Sequence, residues 1–111
     1  MDCNCNGYSI FKGDDTGAFG NQLLRINRPS GIADDVVISK AELKCGTLPI
    51  MTFEPESGET TLSFPIDINL TATQTKQLQY TNNVYLKVYD ENGLGVTCNG
   101  TVMFKANTEV I

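Results

Sequence analysis

From Tyr80 to Ala106 the chain alternates between apolar and polar side chains. Val84, Leu86 and Val88 hold one parity, while Tyr85, Lys87 and Tyr89 hold the other. Asp90-Glu91-Asn92-Gly93 follows, after which Val96, Cys98, Val102, Phe104 and Ala106 again share a parity. Successive side chains of a strand point to opposite faces, so each half is expected to be a strand with one apolar face. Asn and Gly accept the backbone conformations of tight turns, which places a reversal at residues 90–94. A long antiparallel hairpin is therefore the expected centre of the fold.

The rest of the chain supplies shorter runs of the same kind. Tyr8-Ser9-Ile10-Phe11 predicts a first strand, ended by the turn residues Lys12-Gly13-Asp14-Asp15-Thr16-Gly17. Phe19, Leu24 and Ile26 predict a second strand with Gly20 as a bulge point. In the third, Val37, Ser39, Ala41 and Leu43 lie on one face, and Ile38, Lys40, Glu42 and Lys44 mark a wet one. Ile50 to Phe53 is a short strand fenced by Pro49 and Pro55. Leu62, Phe64, Ile66, Ile68 and Leu70 alternate most cleanly, with Pro65 demanding a free edge or bulge because it has no N–H to donate. Thr71 to Leu78 is the one helical candidate, with Thr71 as cap and Leu70, Thr75 and Leu78 turned inward.

About seven short strands, with turn signals every 8 to 15 residues or so, predict an all-β, Ig-like antiparallel β-sandwich with at most one short helical turn. The expected organisation is a polar N-terminal arm at 1–7, a β-sandwich domain at 8–107 and a C-terminal tail at 108–111. No βαβ spacing argues for a parallel sheet.

At 111 residues the chain is of single-domain size, and its net charge of −5 disfavours nucleic-acid backbones and anionic membranes. No apolar run approaches the roughly 20 residues that span a bilayer, and residues 1–7 lack the pattern of a secretion signal. The chain has no histidine, which removes histidine-based triads and histidine-ligated zinc. The acidic pairs Asp14-Asp15, Asp34-Asp35 and Asp90-Glu91 read as solvated turn residues rather than as a catalytic pair or calcium loop. Cys3 and Cys5, one residue apart, lack the spacing of a structural zinc site and have no basic neighbours to activate a thiolate. Without an export signal, the four cysteines are expected as thiols; under oxidising conditions Cys3 or Cys5 can bridge to other molecules, or Cys45 to Cys98. The expectation is a non-enzymatic protein with no cofactor and no metal.

Tyr85 and Tyr89, four residues apart with Lys87 between, share one strand face, and Tyr80 lies nearby. Exposed aromatics are enriched where proteins meet, so this row is a candidate contact surface for a partner protein or for sugar rings. The expected contact residues are Cys3, Cys5, Tyr8, Phe11, Tyr85 and Tyr89.

Four ordered stretches together resemble small β-domains of tailed-phage virion proteins, in particular the N-terminal domain of phage baseplate upper proteins. They are the turn Lys12-Gly13-Asp14, the strand from Asp35 to Leu43 with its central Ala41, the turn Leu70-Thr71-Ala72-Thr73-Gln74-Thr75, and the hairpin with Tyr85 to Gly93 and Gly100 to Phe104. The resemblance spans about residues 8 to 106. Family domains head longer chains, whereas this one stops at Ile111, and the Cys-x-Cys arm is similar to amino-terminal arms of gut-phage structural proteins. The resemblance implies a capsid-decorating or auxiliary protein, or a head-fibre anchoring module, in the virion. It would be assembled in the host bacterial cytoplasm in multiple copies against capsid, portal-proximal or tail components, with neither nucleic acid nor membrane as partner. The alternative is a carbohydrate-binding or adhesin-like β-sandwich module.

Overall fold

The computed structural model describes residues 2–5, 9–20, 23–100 and 104–107, and the side chains of 10–20 and 23–98. The described chain is mostly β. Its strands are β1 (Asp2–Cys5), β2 (Ser9–Phe11), β3 (Leu24–Asn27), β4 (Lys40–Cys45), β5 (Met51–Phe53), β6 (Ile66–Ile68), β7 (Thr81–Asn82), β8 (Val84–Tyr89), β9 (Gly95–Gly100) and β10 (Phe104–Asn107). A short helix, α1 (Ala72–Lys76), stands between β6 and β7. The larger sheet has the order β5-β4-β8-β9-β1-β3-β6, and the smaller sheet β2-β10-β7. Pairing is antiparallel except at β1–β9 and β10–β2.

The β8–β9 hairpin closes as its pattern requires. Tyr89 pairs with Gly95 and Leu86 with Cys98. At its turn the Asp90 carboxylate accepts the backbone N–H groups of Asn92 and Leu94, each at 2.9 Å. Strand β4 lies on the other side of β8, with Ala41, Leu43 and Cys45 opposite Val88, Leu86 and Val84. All six are buried, so two neighbouring ladders turn one apolar face to a shared interior. Ile10 of the smaller sheet belongs to the same core as Leu24, Ile26, Leu70 and Leu78. Each such side chain contributes roughly 1.5–3 kcal/mol on leaving water.

Helix α1 starts where a capping box can form. Thr71 Oγ1 accepts the Gln74 N–H, and the Gln74 side chain accepts the Thr71 N–H in return. Five residues make a marginal helix alone, and tertiary contacts hold this one. Thr75 is fully buried; its hydroxyl accepts the Gly13 N–H at 3.0 Å and donates to the Asp14 carbonyl at 2.9 Å. Thr16 Oγ1 accepts the Leu70 N–H at 2.8 Å and donates to Asn69 Oδ1 at 3.1 Å. Two threonine hydroxyls thus fasten the turn after β2 to the helix and to the residues that lead into it.

Several expectations need correction. Phe19 belongs to a 3₁₀ turn (Ala18–Gly20), takes a left-handed φ of 61° and stands in solvent, so the second strand is only Leu24–Asn27. Alternation places Ile38 on the wet face of a strand, yet it is buried. Residues 36–39 precede β4, so period-two parity does not apply to them. The Leu62 to Leu70 alternation keeps its alternating burial, but only Ile66–Ile68 form a strand, at the edge of the larger sheet and just after Pro65. Val96 is half exposed although it shares parity with buried Cys98. The second half of the expected hairpin divides, β9 ending at Gly100 and β10 joining the smaller sheet. The stretch read as a polar arm supplies β1, seated between β9 and β3. Cys98 is disulfide-bonded, against the expectation of thiols, and β8 separates it from Cys45. Two strand spacings are roughly 9.5 Å, beyond the reach of a disulfide. The tail at 108–111, and the side chains of Cys3, Cys5 and Phe104, lie outside the described residues.

Candidate interaction surface

The larger sheet turns its second face to solvent over β5, β4, β8 and β9. The same alternation that buries Val84, Leu86 and Val88 sends Tyr85, Lys87 and Tyr89 outward. Register then sets their neighbours: Lys44 lies opposite Tyr85, Glu42 opposite Lys87 and Lys40 opposite Tyr89. On the far side of β8, Thr97 faces Lys87 and Gly95 faces Tyr89.

Tyr89 is the fixed point of this face. Its hydroxyl donates to Glu42 Oε1, and two ammonium groups approach its ring, Lys40 Nζ at 4.5 Å and Lys87 Nζ at 5.3 Å from the centroid. Cation–π attraction of this kind contributes about 0.5–1 kcal/mol at exposed sites. The hydrogen bond to Glu42, with smaller contributions from burial and from the carboxylate's charge, holds the phenol above its ordinary pKa. Gly95 makes room for the arrangement: a Cβ there would stand 2.7 Å from Lys87 Cε and 2.9 Å from Tyr89 Cε1.

Tyr85 is freer, with 40% of its surface exposed. It lines a small open depression of about 120 Å³ with Glu42, Lys44, Ile50, Lys87 and Thr97. Ile50, 59% exposed, adds an aliphatic edge. Lys44 is steadied by donating to the Leu48 carbonyl at 2.6 Å. Three lysines and one glutamate give the face a local charge of +2, on a chain whose net charge is −5.

Of the six expected contact residues, the structure brings Tyr85 and Tyr89 together on this face. Phe11 is exposed on β2 in the smaller sheet, away from them. Tyr8 lies outside the described residues, and Cys3 and Cys5 are described only as backbone of β1. Tyr80 is exposed but precedes β7 and does not extend the row. Ile50, Lys44 and Thr97 join the face without having been singled out as contacts. Cross-strand register reveals Lys44 and Thr97, by pairing β4 with β8 and β8 with β9, and the β4–β5 pairing brings Ile50, just before β5, to the same face.

The acidic pairs behave as turn chemistry where their bonds are defined: Asp15 Oδ1 accepts the Gly17 N–H at 2.9 Å, as Asp90 does in its own turn. Among the described residues no group of three or more His, Cys, Asp or Glu side chains is placed to hold a metal ion, and no helix is long and apolar enough to cross a membrane. No protein-family model, curated protein or solved structure matches this chain.

Proposed function

We propose that the chain is a non-enzymatic structural protein of a bacteriophage virion, a capsid-decorating, auxiliary or fibre-anchoring module. In this reading its two sheets form an Ig-like β-sandwich, and many copies attach to other virion proteins through the outer face of the larger sheet. The observation that carries the reading is that face itself. Tyr85 on β8 and Ile50 just before β5 stand exposed on the outer face of a hydrogen-bonded sheet, beside a tyrosine whose ring two lysines approach. An aromatic and an aliphatic side chain ringed by polar groups is the composition of a protein contact patch. The phage setting rests on the ordered resemblance. In support of treating its stretches as one unit, the Lys12-Gly13-Asp14 turn and the Leu70 to Thr75 turn meet through the Thr75 hydroxyl.

The test is mass spectrometry of purified phage particles from a host that expresses the chain. The reading requires the chain in particles at fixed, multiple copy number, and loss of that copy number with Tyr85→Ala combined with Ile50→Asp. Absence from particles, or full incorporation of the double variant, refutes it.

A second reading, a carbohydrate-binding module, draws on the Tyr85 depression, where an exposed ring sits among Glu42, Lys87 and Thr97. Rings flanked by hydrogen-bonding groups suit sugar stacking. A glycan array probed with the chain and with Tyr85→Ala decides it, and silence with both removes it.

A further inference from the structure

A different part of the molecule carries a separate inference. At one end of the larger sheet, the loop before β4 and the turn of the β8–β9 hairpin enclose an open apolar groove of about 340 Å³. Ile32, Val36, Val88, Leu94 and Val96 provide most of its wall, with Tyr89 at one side. Leu94 is 69% exposed and Val96 51% exposed, so the groove leaves large aliphatic side chains uncovered. The loop is held in place, not loose: Arg28 Nη2 donates to the carbonyls of Ala33 (2.7 Å) and Val36 (2.6 Å), and the Asp90 carboxylate fixes the turn opposite.

Acidic residues outnumber basic ones in the segments that border the groove. Asp34 and Asp35 immediately precede Val36, Asp90 lines the groove and Glu91 follows it. Glu54, Glu56 and Glu59 sit on the loop that leaves the same end of the sheet and returns to Ile38 through the Leu62 N–H. Against these seven carboxylates stand Arg28, engaged with backbone carbonyls, and Lys40, over the Tyr89 ring. An apolar floor bordered by mainly acidic segments favours a ligand that is apolar at its centre and cationic at its flanks. The groove is open to solvent rather than enclosed, which suits a length of polypeptide better than a buried small molecule. A second copy of this chain, itself at −5, is opposed by charge repulsion.

We propose that this groove is a docking site for a short segment of another protein that carries a large apolar side chain flanked by lysine or arginine. The groove shares Tyr89 with the outer sheet face but neither Tyr85 nor Ile50, so the two proposals are tested by different variants and can fail separately. The test uses three fluorescently labelled synthetic peptides with the full chain, read by anisotropy. One has Leu-Phe between lysine pairs, one has Leu-Phe between glutamate pairs, and one has Ser-Ser between lysine pairs. The lysine-flanked Leu-Phe probe binds saturably, weakens at high salt, and binds at least about tenfold more tightly than either control. Leu94→Asp weakens it by about tenfold or more, and Tyr85→Ala does not change it. Because Leu94 is exposed, its variant keeps the native circular dichroism spectrum, and Asp34→Lys with Asp35→Lys gives a second loss of binding from the rim alone. The proposal is overturned if no probe binds, if a control probe binds equally, or if Leu94→Asp binds as the parent does. It is equally overturned if the groove is filled by self-association, seen as a sedimenting oligomer that Leu94→Asp dissolves.

Discussion

The Tyr89 hydroxyl donates to the Glu42 carboxylate, tying β8 to β4 across the outward face of the sheet. The bond needs the phenol protonated, and the Glu42 hydrogen bond is the chief cause of its raised pKa. A group whose folded pKa is raised contributes stability below its unfolded pKa, about 10 for tyrosine, and that contribution is lost as pH rises through the folded value. Titration of phenolate absorbance should therefore show the Tyr89 component, identified by its loss in Tyr89→Phe, ionising above the ordinary tyrosine value. Glu42→Gln should bring that component back toward the ordinary value. A Tyr89 component already at the ordinary value in the parent would refute the bond.

Thr75 is a buried hydroxyl with partners on two segments. Thr75→Val keeps its shape and strands the Gly13 N–H and the Asp14 carbonyl. A loss of about 1–3 kcal/mol in denaturant unfolding is expected. Thr75→Ser, which keeps the oxygen, should recover most of it.

Leu86 and Val96 are aliphatic residues on paired strands with opposite fates. Leu86 is fully buried between β4 and β9, so Leu86→Ala should cost about 2–5 kcal/mol. Val96 is half exposed, and Val96→Ala should stay within about 0.5 kcal/mol. Equal costs in chemical denaturation would contradict the placement of the core.

Gly46 combines two constraints. Its φ is 54°, and a Cβ would lie 2.5 Å from Asn82 Oδ1 and 3.1 Å from Asn82 Cβ. Asn82 is buried; its Oδ1 accepts the Gln79 N–H and its Nδ2 donates to the Gln79 carbonyl. Gly46→Ala should cost at least about 2 kcal/mol, the left-handed penalty plus disturbance of that pair. Gly58, at φ 88° with open space around it, supplies the control: Gly58→Ala should cost only the backbone share, seen as a smaller drop in Tm.

What could be read from the amino acids was whatever depends on neighbours in the chain. The alternation at Val84 to Tyr89, the turn at Asp90 to Gly93 and the cap at Thr71 are set within a few residues, and all are present. Ile38 and Val96 escaped the same logic because parity predicts burial only within a strand that is covered along its length. The first lies before its strand, and the second lies at an uncovered end of its own. Tyr85 and Tyr89 were legible as a pair because they share a strand. Lys44, Ile50 and Thr97 were not, since they come from two other strands and from the residue just before a third. The groove was hidden for a similar reason, being made where residues near 32, 36 and 94 converge.

The place of β1 has a kinetic corollary. Asp2 pairs with Asn99, 97 positions along the chain (99 − 2), and Cys5 pairs with Ile26 on its other side. Among the described residues no other strand joins β9 to β3, so the larger sheet is two separate blocks until this one slots in. Closing so large a loop is entropically costly before any contact rewards it, which marks the step as a late one in refolding. Until it happens, β9 and β3 each present a bare hydrogen-bonding edge, and at high concentration those edges are the places where neighbouring molecules would trade strands.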